Sequence, residues 1–256
     1  MHPTTSTTHG FGWKKDLPDD RDRAYLPPPD LFRLLPNTRD LRSKCPPVYH
    51  QKELNSCSAN AVAAAVEFDL IKEKKRRVIF PSRLFLYYNV RAAEGTVRSN
   101  VGISIRDTLK SVAKLGDCPE SLWPYVEKRF RTRPPRECYD DALKYRLVAY
   151  QRIRRSIEDF RSCIASGYPF VFGFLAHQRF QDIVKRTGRL EMPSQGERII
   201  GHHAVLAVGY EEPKRRFWVR NSWGPRFGRA GYFTMPYEYL LSEYLSSDFW
   251  TIRVVT

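Results

Sequence analysis

The sequence predicts an α+β fold in two lobes, a helical one followed by a strand-rich one. Three observations carry this expectation. Apolar residues recur at helical spacing up to about residue 150, and short apolar runs bounded by Gly and Pro follow. The composition of the 256 residues, 42% hydrophobic and 13% aromatic, is that of a globular chain rather than a disordered one. A chain this long buries roughly 70–75% of its unfolded surface, enough for one large domain or two packed halves. No stretch approaches the ~20 apolar residues of a membrane span.

Each element follows in order. Residues 1–34 contain Pro18 and Pro27 to Pro29 with little periodicity, and they read as an extended arm rather than a packed element. Ser56 to Lys74 reads as a helix with Ala61, Val62, Ala65, Val66 and Phe68 at helical spacing. A second helix starts at Ser82 after Pro81 and carries Leu84, Phe85, Tyr87 and Tyr88. A third opens with Ser104 and Asp107 in a capping pattern, stops at Gly116, and buries Ile105, Leu109, Val112 and Ala113. After about Tyr150 one helix is expected over Ile157–Ala165, capped by Ser156 and Asp159. Strands are expected over 170–174, 204–210, 217–219, 232–234 and 250–255. The polar run Glu211 to Arg216 reads as the turn of a hairpin.

The 43 Lys and Arg outnumber the 28 Asp and Glu, giving a net charge of +15. The basic residues are scattered, and no zinc-finger spacing, RNP-like motif or basic heptad region accompanies them. A solvated basic surface is the expectation, and a polyanion site is the alternative. No nucleic-acid partner, metal or cofactor is expected. The five cysteines are too few and odd in number for a disulfide scaffold. The N-terminus lacks the apolar core of a secretory signal, so Sec-type export is not expected and the location stays open.

Cys57 lies at the first turn of the Ala-rich helix, where unpaired N–H groups and the helix dipole favour a thiolate. A small buried hydrophobe is the bland alternative. His202-His203-Ala204-Val205 opens an apolar strand, and Asn221-Ser222-Trp223-Gly224 ends its hairpin partner. A nucleophilic thiol needs a base, and the base needs a third group to fix its ring. Cys, His and Asn from distant segments supply that set, although the His could be a strand-edge residue and Asn221 a turn residue.

Together these residues resemble the papain-like cysteine peptidases. Gln51 to Cys57 is similar to that family's nucleophile segment, which has a Gln six residues before the Cys. His203-Ala204-Val205 with Val208-Gly209-Tyr210 resembles its histidine strand. Arg220-Asn221-Ser222-Trp223-Gly224, with Gly228 and Gly231-Tyr232-Phe233, resembles its Asn-Ser-Trp-Gly block. His203 comes 146 residues after Cys57, within the ~130–150 that the family's spacing implies, and Asn221 a further 18. Pro47-Val48-Tyr49, Cys57 to Ala61 and Gly12-Trp13 resemble a bacterial, xylellain-like branch.

The resemblance implies a helical left lobe, a β-barrel-like right lobe and an active cleft between them. It implies residues 35–256 as the peptidase domain, about 45–149 mainly helical and about 150–256 mainly β. Cys57 would be the nucleophile and His203, rather than His202, its partner in a thiolate–imidazolium pair. Asn221 would orient the ring, Trp223 would shield that bond, and Gln51 would donate to the oxyanion. Gly102 would let an extended substrate backbone approach, though turn chemistry accounts for a Gly equally well. The partner expected is an extended polypeptide substrate, and the protein itself is expected to be a monomer.

The sequence departs from the family at Ser58, where a Trp is usual, and at Leu54, where a Cys is usual. Cys118 and Cys138 bracket Leu122 to Tyr125 and are candidates to bridge, but free thiols are the stronger expectation. In place of the long inhibitory prosegment of many relatives stand residues 1–34, with Trp13, Leu17, Pro27 to Pro29, Leu31 and Phe32 as apolar anchors. That arm is expected to cross the cleft as an intramolecular inhibitor, making the protein a zymogen; a flexible tail is the alternative. An acyl transferase or isopeptidase using the same residues remains a second reading of the chemistry.

Overall fold

A computed structural model describes residues 10–28, 35–74 and 78–254. In chain order, β1 (Trp13–Lys14) and β2 (Thr38–Asp40) precede α1 (Cys57–Lys72) and α2 (Arg83–Ala93). Next come β3 (Ile103–Ser104), α3 (Ile105–Leu115), α4 (Arg136–Ala142), β4 (Leu147–Arg152), α5 (Ile157–Ala165), β5 (Phe170–His177) and α6 (Phe180–Thr187). The hairpin β6 (Ile199–Glu211) and β7 (Arg216–Arg220) follows, then β8 (Tyr232–Pro236), α7 (Tyr237–Leu241) and β9 (Ser246–Val254).

The helix starts obey the capping expectation. Ser82, Ser104 and Ser156 each accept an N–H three residues on with their side chains, satisfying a donor that has no intrahelical partner. Gly116 ends α3 at φ +77°, a conformation that a Cβ would strain. α1 differs from an amphipathic surface helix: Cys57 through Leu70 are all buried, so it is the central strut of the molecule. Ser56, at its cap position, makes no capping bond; its Oγ lies 2.7 Å from Tyr125 Oη and accepts from Asn60 Nδ2 at 3.0 Å.

The second half is an antiparallel sheet ordered β4-β9-β5-β6-β7-β8, with β2 pairing on β6. β5 is buried along its whole length, as a strand covered on both faces must be. Its Phe170 and Phe172 pack with Phe160, Phe217 and Phe249. The strand-rich part begins at Leu147, slightly before the expected boundary, because β4 pairs with β9. Ala113 is only half-buried. Among the described residues no helix is long and apolar enough to cross a membrane.

Two expectations are corrected. The N-terminal arm is extended but also packed: β1 pairs parallel with β3, and Trp13, Asp16, Tyr25 and Pro27 are buried. Leu17, expected as an anchor, is 78% exposed, whereas its neighbour Asp16 goes inward. Pro29, Leu31 and Phe32 lie outside the described residues. Cys118 and Cys138 are both buried free thiols, as are Cys57 and Cys163, and Cys45 is a half-buried one.

Candidate active site

α1, β6 and the segment after β7 bring three distant residues together. Cys57 is the first residue of α1 and fully buried. His203 sits on β6, and the N–H of the next residue, Ala204, donates to Cys57 Sγ at 3.3 Å, so the sulfur lies against the backbone of the strand that carries His203. Asn221 follows β7, and its Oδ1 lies 2.7 Å from His203 Nε2. Ser222 N–H donates to the same Oδ1 at 2.8 Å, which identifies that atom as the acceptor and His203 Nε2 as a donor. Nδ1 is therefore the ring nitrogen that can exchange a proton with a thiol. His202, on the opposite face of the strand, is exposed.

Trp223 covers the imidazole, with ring centroids 4.8 Å apart and planes tilted by 34°. Gln51 is fully buried beside the helix start. Its Oε1 accepts from Ser222 Oγ at 2.6 Å, which turns the amide so that Nε2 points into the cleft. Nε2 donates to Leu54 O and to Gly10 O, each at 2.9 Å.

Gly10 belongs to the arm, which fills this cleft. Its N–H donates to Lys52 O at 3.2 Å, Gly12 N–H donates to His202 O at 2.9 Å, and Ile103 N–H donates to Gly12 O at 2.9 Å. The approach requires glycine on both sides. A Cβ on Gly102 would come within 2.4 Å of Gly12 O, and one on Gly12 within 2.0 Å of Asn55 O. Gly102 is thus a point of close backbone approach, and what approaches it is the arm. The Phe11 ring stands edge-on to His203 and Trp223, 5.7 and 5.6 Å away.

Burial pushes the Cys57 thiol up to about 12, although the N–H groups of Ala204 and Ser58 pull the other way. Desolvation of a thiolate outweighs the pull of the helix terminus here. Sequence reasoning also passed over Ser222, Phe11 and the anchor of the arm. Ser222 lay inside a recognised block, and its reach to Gln51 depends on a contact 171 residues apart.

The anchor is Asp248 on β9. Its Oδ2 accepts from Trp13 Nε1 at 3.0 Å and from Asp16 N–H at 2.8 Å, and its Oδ1 pairs with Arg152 at 3.1 Å. Asp16 in turn accepts from Trp250 Nε1 at 2.9 Å. Burial and the neighbouring Asp248 raise the Asp16 carboxyl to about 6.

The family model for papain family cysteine proteases matches residues 35–242. An uncharacterized peptidase C1-like protein of Acanthamoeba polyphaga mimivirus is 39% identical over 99% of this chain and 89% of its own length. The structure of xylellain, a cysteine protease from Xylella fastidiosa, superposes with TM-score 0.91 at 40% identity, covering 97% of each chain. The procathepsin B S9 of Trypanosoma congolense shares the fold, with TM-score 0.73 at 15% identity over 97% of this chain and 87% of that one.

Proposed function

The chain belongs to the papain family of cysteine proteases, and from that membership we propose that it hydrolyses peptide bonds through a thioester on Cys57, in a resting form whose cleft its own arm covers. The observation that carries the reaction is the convergence of Cys57, His203 and Asn221, with Asn221 Oδ1 holding Nε2–H and Nδ1 turned to proton exchange.

In the opened site His203 Nδ1 takes the thiol proton as sulfur attacks the scissile carbonyl. Negative charge on the carbonyl oxygen is met by Gln51 Nε2 and the backbone N–H of Cys57; one such donor is typically worth ~3–4 kcal/mol of barrier. His203 then passes the proton to the leaving nitrogen, the C–N bond breaks, and the acyl half remains on sulfur. Water, deprotonated by the same nitrogen, releases the acid and restores the thiol. Trp223 keeps solvent off the His203–Asn221 bond throughout.

The arm's backbone supports its role as inhibitor. Gly10 O occupies the Gln51 donor that an oxyanion needs. The leaving half of a substrate must lie on the His203 face, where the proton is delivered, and the acyl half on the Gly102 side. A substrate's acyl half precedes the scissile carbonyl, but in the arm the Gly102-side residue, Trp13, follows Gly10. The arm therefore runs backwards through the site and is held rather than cut.

The test is a fluorogenic peptide panel on the full chain, Cys57→Ala and Gly12→Ala. Cys57→Ala abolishes turnover on this reading, and retained cleavage would remove the nucleophile assignment. Gly12→Ala pushes a Cβ against Asn55 O and lifts the arm tip, raising the rate several-fold. An unchanged rate in folded Gly12→Ala would reject the arm as a gate. Deleting residues 1–34 is the poorer test, because it also removes Trp13 and Asp16 from the core.

A further inference from the structure

We propose that His50 is a positioning residue for the oxyanion: it holds the backbone of Lys52 in the turn that aims the Gln51 amide into the cleft. The inference deepens the peptidase reading above and rests on it, since a donor to the oxyanion matters only if an oxyanion forms.

The imidazole sits where its lone pair serves that turn. His50 Nδ1 accepts from Lys52 N–H at 3.0 Å, so the bond passes from one side of Gln51 to the other. Pairing with the segment after β7 keeps the ring in place. His50 bridges to Trp223, Gly224 N–H donates to Tyr49 O at 2.8 Å, and Gln51 N–H donates to Ser222 O at 2.8 Å. The ring lies on Gly224, where a Cβ would come within 2.8 Å of His50 Cδ2. Tyr125 Oη donates to Gln51 O at 2.8 Å. Both backbone groups of Gln51 are therefore tied, and Lys52 decides how the chain leaves it.

Lys52 needs support there. Its φ is +53°, a left-handed conformation that costs a residue with a Cβ and that glycine adopts freely. A side-chain acceptor on the N–H two residues along is how Asn and Asp stabilise such turns, and here a histidine supplies it. The half-exposed Lys52 side chain reaches Glu127 Oε2 only at 3.9 Å, too loosely to fix a backbone.

The acceptor is lost when the ring gains a proton, because imidazolium offers N–H at both nitrogens. Partial burial and the cations of Lys52, Arg226 and Arg83 oppose that charge and outweigh Glu127, which favours it, so His50 titrates below its usual 6.5. The bond therefore holds at neutral pH and fails as pH falls beneath that range.

The test measures kcat and KM for one fluorogenic peptide from pH 7.5 down to pH 5, with thermal melts to confirm folding. The full chain is compared with His50→Ala, His50→Asn and the double variant His50→Ala, Lys52→Gly. The set is repeated with Gly12→Ala, which lifts the arm from Lys52 O. At pH 7.5 we expect His50→Ala to lower kcat about fivefold with KM within about twofold. His50→Asn, whose oxygen accepts the same N–H, and the double variant, whose glycine needs no acceptor, keep kcat within about twofold of the full chain. Toward pH 5 the full chain loses up to about fivefold against His50→Asn, which has no titrating acceptor. An unchanged kcat in folded His50→Ala, a loss that Lys52→Gly leaves unrepaired, or a ratio to His50→Asn that does not move with pH overturns the inference and spares the reaction. If His50→Ala does not fold, that ratio alone decides. Turnover absent from every form overturns the reaction and this role together.

Discussion

Ser222 and Gln51 form the part of the site whose geometry is most exacting. The Gln51 amide can face the cleft with oxygen or nitrogen; the bond from Ser222 Oγ at 2.6 Å and the carbonyls of Leu54 and Gly10, which accept from Nε2, together make it nitrogen. Ser222→Ala is therefore expected to lower kcat about fivefold, the worth of one hydrogen bond of ~1 kcal/mol. Gln51→Ala should cost more, ~10²–10³ in kcat. Parallel melts and KM values separate these effects from misfolding; unchanged kcat in Ser222→Ala would remove the positioning role. The thiol offers a second prediction at this scale. With Cys57 pushed up to about 12 under the arm, iodoacetamide should label it slowly at neutral pH and faster only well into the alkaline range. Gly12→Ala should label rapidly near pH 7, and coincident pH profiles would contradict the account. Cys57, His203, Asn221 and Gln51 were readable from sequence because each stands in a short motif that resembles one of the family's. Ser222's partner and Asp248's left-handed backbone were not, because both depend on segments that meet only in the fold.

Among the elements, the arm departs most from its sequence reading. Its prolines signal an extended chain correctly, but nothing in a low-periodicity stretch says that Trp13 and Asp16 are core residues. What holds them is polar and specific: Asp16 to Trp250, Trp13 to Asp248, and Arg106 and Arg152 both to Asp22. The Asp16 carboxyl, raised from 3.8 to about 6, makes this docking pH-dependent. A folded value above the unfolded one means the folded state binds the proton more tightly. That stabilisation is fully present below about pH 3.8 and is lost as pH rises through about 6. The difference in unfolding free energy between the full chain and Asp16→Ala should therefore be larger at pH 4 than at pH 7, by of order 2 kcal/mol. A gap that does not change with pH would show that Asp16 is not held as a raised carboxyl. Helices capped by Ser82, Ser104 and Ser156 fall where their sequences place them, because a cap is a three-residue signal. α4, α6 and α7 span eight residues or fewer, too short a window for periodicity to reveal a helix.

Across the whole molecule, the cleft is a meeting of two halves with different rules. The helical half contributes Cys57 and Gln51 from around a strut buried on every side, and the sheet half contributes His203 from β6 and Asn221 from just past its antiparallel neighbour β7. Order within each half was visible in hydrophobic period; the strand sequence β4-β9-β5-β6 was not, since pairing β9 between β4 and β5 depends on contacts from 72 to 107 residues apart. Such an assembly makes chemistry depend on how the halves and the arm meet. The most direct measurement is an acid-quenched reaction of Gly12→Ala with a cleavable peptide, followed by mass spectrometry of the peptide containing residue 57. The account predicts an acyl adduct on Cys57 whose mass matches the N-terminal half of the substrate, formed in a burst and absent from the same protein carrying Cys57→Ala. Turnover with no adduct on Cys57, or undiminished turnover in its absence, would contradict it.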